Sequence, residues 1–187
     1  MYYNNESDEA LIERVKKGDC EAFSPLIERY KMLVYRLVYR MLGNRDDTED
    51  LVQEVFIKAY NSIKSFKSGS SFSPWLSKIA VNLTINFIKK EKRGHLESLD
   101  RVQNQISSNK DDPVEMTRSK LLKEKIQEAM SRLPEIYRAV LVLRIEEELS
   151  YEEIGKILNI PKGTVMSRLA RARQCLKETF EEMGIGS

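Results

Sequence analysis

Histidine and cysteine, which supply many catalytic and metal-binding sites, are scarce in this chain. Its 187 residues include one histidine, His95, and two cysteines, Cys20 and Cys175, that lie far apart. One histidine cannot form a histidine pair or a catalytic triad. Two distant cysteines lack the close spacing of a zinc site or a redox pair. We therefore expect no catalytic residue, no metal ion and no cofactor, and we expect both thiols to be buried or inert.

Long hydrophobic runs are also missing. No stretch approaches the roughly 18–20 uninterrupted apolar residues of a membrane span, and residues 1–9 are polar where a signal peptide would become apolar. The sequence therefore predicts a cytoplasmic protein without direct membrane insertion. Because 41% of the residues are hydrophobic, the chain has enough apolar material to form packed cores.

Neither positive nor negative charge is in large excess. The chain has 31 basic and 29 acidic residues, for a formal net charge of +2. This balance argues against a uniformly basic surface for nucleic acid, but local patches are what steer binding. The local charge of each segment is therefore more informative than the net charge of the chain.

The first half of the chain has apolar residues at helical spacing and side chains suited to helix ends. Ser7 and Asp19 are placed to cap two helices, the second of which ends at Gly43. Longer helices are predicted over residues 47–63 and 73–92, and in the last one a capping serine is followed by proline.

A polar stretch rich in serine and asparagine separates the two halves of the sequence. It cannot bury enough apolar surface to fold alone, and helical periodicity resumes near Arg118. A chain of this length can form two small domains. We therefore predict an all-α protein with two small helical domains, at 1–93 and 118–187, joined by a flexible linker over 94–117.

The strongest local signal is a helix-turn-helix pattern near the C-terminus. Ser150 and Glu153 form a capping box for the first helix, and Gly155 allows a close approach of the second. Residues 159–161 supply the turn, and the second helix is predicted over 161–178.

The second helix of this motif has a one-sided basic surface. A helical wheel turns Val165, Leu169, Ala172 and Leu176 inward. Residues 162–177 include five basic residues and no acidic one. Arginine can contact guanine edges or phosphates, and the N-terminus of the helix offers backbone donors to a phosphate. The alternative is a solvated charged face. The residues expected to face duplex DNA are Lys162, Thr164, Ser167, Arg168, Arg171 and Gln174.

A second candidate surface lies on the predicted helix over 47–63. Its carboxylates, Asp46, Asp47, Glu49 and Asp50, could suggest a magnesium-dependent phosphotransfer enzyme, but such sites normally draw ligands from several elements. The outward side combines acidic and amide groups with an exposed isoleucine, which favours a protein partner, although a plain solvated face stays open. The residues on this side are Asp50, Gln53, Glu54, Ile57 and Asn61.

The helix over 73–92 supplies the third candidate surface. A helical wheel turns one set of apolar residues inward, namely Leu76, Ile79, Ala80, Leu83 and Phe87. The outward residues are Lys78, Asn82, Asn86 and Lys89, and a basic segment follows. Cations and amides can follow a phosphate backbone and hold a base edge. Phe72 and Trp75 could stack on an exposed base, although such a tryptophan is more often a core residue.

Taken together, these motifs resemble the extracytoplasmic-function sigma factors of the sigma-70 superfamily. Residues 46–60 and 72–86 resemble sigma region 2, and residues 133–144 and 149–173 resemble region 4. The resemblance implies an alternative sigma factor whose partners are the β′ and β subunits of core RNA polymerase and promoter DNA. An anti-sigma factor and a role in stress response are further expectations from the family.

The resemblance also assigns a role to each surface. Residues 50–63 would dock on the coiled coil of the polymerase β′ subunit, and Asn82 with its outward neighbours would capture the non-template strand of the minus-10 element. The helix from Lys162 would read the minus-35 element. Met166 and Ala170 depart from the family pattern in ways that shorten the reach toward DNA. The alternative that stays open is a helix-turn-helix transcriptional regulator.

Overall fold

The computed structural model describes the backbone of residues 6–99 and 118–184, and the side chains of 6–93 and 121–184. Every regular element within these ranges is helical, as the sequence predicts. Short 3₁₀ turns at Cys20–Phe23 and Ile63–Ser65 join longer helices. The α-helices are α1 (Asp8–Lys16), α2 (Ser24–Leu42), α3 (Arg45–Ser62), α4 (Phe72–Leu99), α5 (Arg118–Arg132), α6 (Glu135–Glu146), α7 (Tyr151–Leu158) and α8 (Lys162–Glu182).

Local caps define the first three helices. The Ser7 hydroxyl accepts the amide of Ala10, and Asn44 caps α3. Gly43, at a φ of 79°, ends α2 in the left-handed region that glycine adopts readily. Asp19 caps the 3₁₀ turn and not α2, because a separate start with proline in the first turn begins α2 at Ser24.

Helix α4 is longer than predicted at both ends. It begins at Phe72, so Ser73 lies inside the first turn and does not cap the helix. It continues to Leu99, so residues 94–99 are helical where the sequence predicted linker. The remaining residues of the predicted linker, 100–117, lie outside the described residues.

The buried side of α4 also differs from the helical-wheel prediction. Leu76 and Ala80 are buried as predicted, but Val81 and Thr84 are buried as well, whereas Phe87 is only half-buried. The reason is that α4 packs against α2 and α3 on one side and against α6 and α7 on another. A helix with neighbours on two sides has a wider buried face than one apolar stripe.

Two helical domains result, one formed by α1–α4 and the other by α5–α8. They contact each other directly, chiefly where α2 meets α6 and where α4 meets α7. Buried side chains from both form one continuous apolar core. In the part of the chain described here, none of the helices has the length and apolar character needed to cross a bilayer.

Candidate DNA and polymerase interfaces

The helix-turn-helix forms as its local sequence predicts. The Ser150 hydroxyl accepts the Glu153 amide at 3.3 Å, and the Glu153 carboxylate accepts the Ser150 amide at 2.8 Å. Hydrogen bonds from the hydroxyl and amide of Ser150 lower the pKa of Glu153. Asn159 adopts the left-handed conformation at the end of α7, with a φ of 54°. The capping box and the turn together fix the direction in which α8 leaves α7.

Helix α8 buries one narrow side and presents the other to solvent. Val165, Leu169 and Ala172 are buried, as the wheel predicts. On the outer side Ser167, Arg171 and Gln174 are exposed with Lys162, whereas Thr164 and Arg168 are half-buried. The outer side is therefore mostly polar and cationic, although Met166 and Ala170 are also exposed there. A major groove can admit a helix of this kind.

Several of these polar groups have intramolecular partners. The Lys162 ammonium contacts the Glu152 carboxylate, and this hydrogen bond lowers the pKa of Glu152. The Gln174 amide donates to the Glu178 carboxylate at 2.7 Å. Among the side chains that the structure describes, Arg171 forms no ion pair. The same holds for Arg168 and Arg173, and of these three arginines Arg171 and Arg173 are exposed. Arg171 can therefore meet DNA without first breaking an ion pair.

The outer side of α3 has the composition that the sequence predicts. Asp50, Gln53, Glu54 and Asn61 are exposed around Ile57, which keeps 61% of its surface accessible. On the opposite side Val55, Phe56 and Ala59 are buried, and Val52 is half-buried. An isoleucine this exposed within an acidic and amide rim resembles the centre of a protein-binding surface.

The carboxylates at the start of α3 do not converge on one point. Arg45 pairs with Glu49 at 3.1 Å, so that this carboxylate is already engaged. Burial, and then the carboxylates of Glu91, Asp46 and Asp50, raise the pKa of Asp47. In the described ranges, no group of three histidine, cysteine, aspartate or glutamate side chains is arranged to hold a metal ion. The first turn of α3 instead places acidic groups at a helix N-terminus, where they are favourable.

On α4, the predicted outward residues lie where the wheel places them. Lys78, Asn82, Asn86 and Lys89 are all exposed. The two lysines flank the two asparagines along a helix whose basic continuation includes Lys90, Lys92 and Arg93. This surface can contact phosphates along a nucleic-acid strand and form hydrogen bonds to a base.

The aromatic residues near the start of α4 form a cluster. Phe72 is buried, with its ring centroid 5.2 Å from Tyr30 and 5.7 Å from Phe66. The hypothesis that Phe72 stacks on a base is therefore wrong in this structure. Trp75 is half-buried and packs 5.3 Å from Phe66, which agrees with its interpretation as a core residue.

Two features of the structure were not predicted from the sequence. Cys20 is exposed and accepts a hydrogen bond from the Tyr60 hydroxyl at 2.8 Å, so it is not a buried thiol. Arg138, in contrast, is buried at the contact between the domains. Its position inside the apolar run of residues 136–143 was the one available signal that it has a structural partner.

Comparisons with known proteins first define the class. Residues 26–94 match the family model for Sigma-70 region 2, and residues 123–176 match Sigma-70, region 4. The chain is 41% identical over 179 residues to ECF RNA polymerase sigma factor SigW of Bacillus subtilis (strain 168), covering 92% of this chain and 96% of that protein. It is 37% identical over 188 residues to the ECF RNA polymerase sigma-E factor of Escherichia coli (strain K12), covering 95% and 96%. The protein belongs to the extracytoplasmic-function sigma factors.

Two solved structures share its fold. The sigma factor RpoE, in complex with the anti-sigma factor NepR from Bartonella quintana, has a TM-score of 0.67 at 23% identity, covering 86% of this chain and 98% of that one. CnrH, in complex with the cytosolic domain of CnrY, has the same score at 21% identity, covering 95% and 99%. At these identities the similarity shows the fold alone.

Proposed function

We propose that this protein is an alternative sigma factor that binds core RNA polymerase and directs promoter-specific initiation of transcription. The observation that carries the proposal is the separation of three exposed surfaces on the two domains. An apolar-centred acidic surface lies on α3, and cationic surfaces lie on α4 and α8. The relatives over most of the chain are named RNA polymerase sigma factors.

The C-terminal domain would recognise the minus-35 element as duplex DNA. Helix α8 would enter the major groove with Ser167 and Arg171 toward the bases, while Arg168 and the helix N-terminus at Lys162 and Thr164 contact phosphates. Gln174 would extend the contact after releasing Glu178. Phosphate contacts position the helix, and base contacts provide the sequence preference.

The N-terminal domain would capture the opened minus-10 strand on α4. Asn82 and Asn86 can hydrogen-bond to an unstacked base, and Lys78 and Lys89 flank them with positive charge for the backbone. Unstacking a base costs a few kcal/mol, so specific hydrogen bonds are needed besides general attraction. Capture of the separated strand is then what favours promoter opening.

The exposed side of α3 would bind the β′ subunit, and the C-terminal domain would bind the β subunit. Ile57 would be buried at the centre, with Gln53 and Asn61 hydrogen-bonding around it. The protein itself would perform no catalysis, because the polymerase supplies the chemistry of RNA synthesis. This role places the protein in the cytoplasm, with the polymerase.

An anti-sigma factor is a further candidate partner. Each of the two fold relatives described above was solved in a complex, one with the anti-sigma factor NepR and the other with the cytosolic domain of CnrY. A protein that covers α3 or holds the two domains together would prevent polymerase binding. Co-purification of this chain with a candidate partner, tested by competition with core polymerase, would establish it.

Reconstituted transcription tests the proposed function. Purified core polymerase with this chain should initiate at specific promoters, whereas core polymerase alone should not. A helix-turn-helix regulator would bind duplex DNA without this dependence on core enzyme. That alternative is not favoured, because the region 2 match accounts for the N-terminal half.

A further inference from the structure

Helix α1 holds the β-turn over residues 67–70, which leads into α4. The Ser68 hydroxyl donates to the Glu13 carboxylate at 3.0 Å, and the Gly69 amide donates to the Glu9 carboxylate at 3.2 Å. Glu9 and Glu13 are four residues apart, so both carboxylates extend from the same side of α1. Two carboxylates of one helix therefore fix the tip of a turn that is distant in the sequence.

Lys16 of α1 extends this contact to the aromatic residue before the turn. Its ammonium donates to the Glu13 carboxylate at 2.9 Å and to the Ser68 hydroxyl at 3.4 Å. It also lies over the Phe66 ring, 5.8 Å from the centroid, which is within the range of a cation–π contact. Hydrogen bonds from Lys16 and Ser68 lower the pKa of Glu13, so they favour its charged form. Lys16, Glu13 and Ser68 thus form one hydrogen-bonded group against Phe66.

The first residue of α1 contacts the same aromatic cluster through Tyr30. The Asp8 carboxylate accepts the Tyr30 hydroxyl and pairs with Arg29 at 2.7 Å. The Tyr30 ring packs edge-on against Phe72, with the two centroids 5.2 Å apart. Phe72 in turn packs edge-on against Phe66 at 5.7 Å. Both ends of α1 are therefore connected to the aromatic residues at the start of α4.

This cluster includes Trp75, the only tryptophan of the chain. Its half-buried ring lies 5.3 Å from Phe66 and 5.5 Å from Phe72. At about 3.6 residues per turn, Trp75 lies two turns before Asn82, on the side of α4 that also carries Lys78. The minus-10 surface therefore begins at an aromatic ring whose packing partner is held by α1.

The hydrogen bonds between α1 and the turn lie at the protein surface. Exposed polar contacts of this kind contribute little to the free energy of global unfolding. They can instead limit the local opening of a short segment. Helix α1 also precedes the stretch that matches Sigma-70 region 2, which begins at residue 26. A local role for α1 therefore has to be inferred from its contacts.

We propose that α1 is a positioning element of the minus-10 surface, in which Glu9 and Glu13 hold the 67–70 turn and, through Phe66, the ring of Trp75. The role in strand capture rests on the proposed function, whereas the effect on Trp75 rests on the contacts alone. Glu9 and Glu13 act through the turn and do not bind DNA, because carboxylates repel phosphates. Holding the turn in one arrangement reduces the ordering that the DNA strand would otherwise have to impose.

Fluorescence of the full chain tests the positioning role, because all tryptophan emission comes from Trp75. Glu13→Ala and Ser68→Ala should each shift the emission to longer wavelength and increase its quenching by acrylamide, since the ring becomes more accessible. The double variant should change no further than Glu13→Ala alone, because both substitutions remove the same contact. Glu21→Ala, at an exposed glutamate after α1, is the matched control and should keep the wild-type emission and quenching.

Global stability separates this local effect from loss of the fold. The unfolding temperature of Glu13→Ala and Ser68→Ala should fall by less than about 4 °C, as expected for the loss of an exposed contact. If circular dichroism shows that Glu13→Ala loses helix, Ser68→Ala decides, because it leaves α1 unchanged. Wild-type emission and quenching in Ser68→Ala, or an equal change in Glu21→Ala, would overturn the positioning role.

Binding of a single-stranded oligonucleotide tests the role in strand capture. The probe is the labelled non-template minus-10 strand of a promoter that the reconstituted system transcribes, and its anisotropy is measured with core polymerase and each variant. Glu13→Ala should weaken binding roughly two- to tenfold, the range of one net hydrogen bond. Simple electrostatics predicts the opposite sign, because the substitution removes a negative charge. Glu21→Ala, which removes the same charge, should not weaken binding.

Unchanged or tighter binding of the oligonucleotide by Glu13→Ala would overturn the role of α1 in strand capture. If the wild-type chain with core polymerase transcribes no promoter, the proposed function fails. The fluorescence of Trp75 in Glu13→Ala and Ser68→Ala then still decides whether α1 positions that ring.

Discussion

Gly155 and Ile160 lie in direct backbone contact across the turn between α7 and α8. The Gly155 carbonyl accepts the Ile160 amide at 2.9 Å, and a Cβ atom on Gly155 would stand 2.7 Å from the Ile160 carbonyl oxygen. This distance is too short for any side chain, and the crowding atom is part of the backbone. The turn that orients α8 therefore depends on the absence of a side chain at residue 155.

Gly155→Ala should destabilise the C-terminal domain by roughly 1–3 kcal/mol, the usual cost of overpacking, and should weaken duplex binding because α8 changes direction. Thermal unfolding and binding to a minus-35 duplex measure the two effects. Gly163→Ala is the control for stability, since a Cβ there meets nothing within 4 Å. If Gly155→Ala were as stable as Gly163→Ala, the proposed crowding would be wrong.

Ser150→Ala should remove the α7 cap and cost about 1 kcal/mol of unfolding free energy at neutral pH. The Ser150 hydroxyl helps to lower the pKa of Glu153. The part of the stabilisation that comes from this bond is therefore present above the ordinary pKa of a glutamate and is lost as the pH falls through the pKa of Glu153 in the folded protein. The difference between wild type and variant should therefore shrink in acid. Urea unfolding at several pH values measures it.

The control for this cap is Ser131→Ala. The Ser131 hydroxyl donates to a carbonyl within its own helix, at 2.7 Å, and caps no N-terminus. The Ser131→Ala substitution should change the free energy of unfolding little at any pH. A pH-independent effect of Ser150→Ala would contradict the role of the carboxylate in the capping box.

Arg171→Ala should weaken binding to the minus-35 duplex by roughly 1–3 kcal/mol and relax the preference at one base pair, if the guanidinium contacts a guanine edge. Fluorescence anisotropy on duplexes with each base substituted in turn measures both effects. Lys177→Ala is a charge-matched control on the same helix. An Arg171→Ala variant with wild-type affinity and base preference would remove Arg171 from the interface.

Asn82→Ala should leave closed-complex formation intact and reduce strand opening, because its amide is proposed to hold a base only after the strands separate. Permanganate reactivity of unpaired thymines measures opening, and footprinting at low temperature measures the closed complex. Asn104→Ala, in the predicted linker, is the amide-matched control. An equal loss of both complexes would contradict the assignment of Asn82 to the separated strand.

Much of this fold could be predicted because its signals are local. The Ser150–Glu153 capping box spans one helical turn, and the outward position of Ile57 follows from the helical repeat. The exposed and buried sides of α3 and α8 could be predicted for the same reason. Roles in binding polymerase or DNA, in contrast, came from the family resemblance and remain predictions for the individual residues.

The contact between the domains could not be predicted in this way. Arg138 meets Met41 across 97 positions of sequence, and Gln127 meets Tyr39 across 88. No periodic pattern links such distant positions. The same packing widens the buried face of α4 beyond the predicted stripe, which is why Thr84 is buried.

Run-off transcription with purified core polymerase and Ile57→Asp tests the central claim most directly. A carboxylate at the apolar centre of the α3 surface should abolish promoter-specific transcripts and core binding together, while binding of the minus-35 duplex stays at the wild-type level. Met32→Asp, at another exposed apolar position with 55% of its surface accessible, should transcribe like the wild type. Promoter-specific transcripts at the wild-type level from Ile57→Asp, or none from the wild-type chain with core polymerase, would contradict this account.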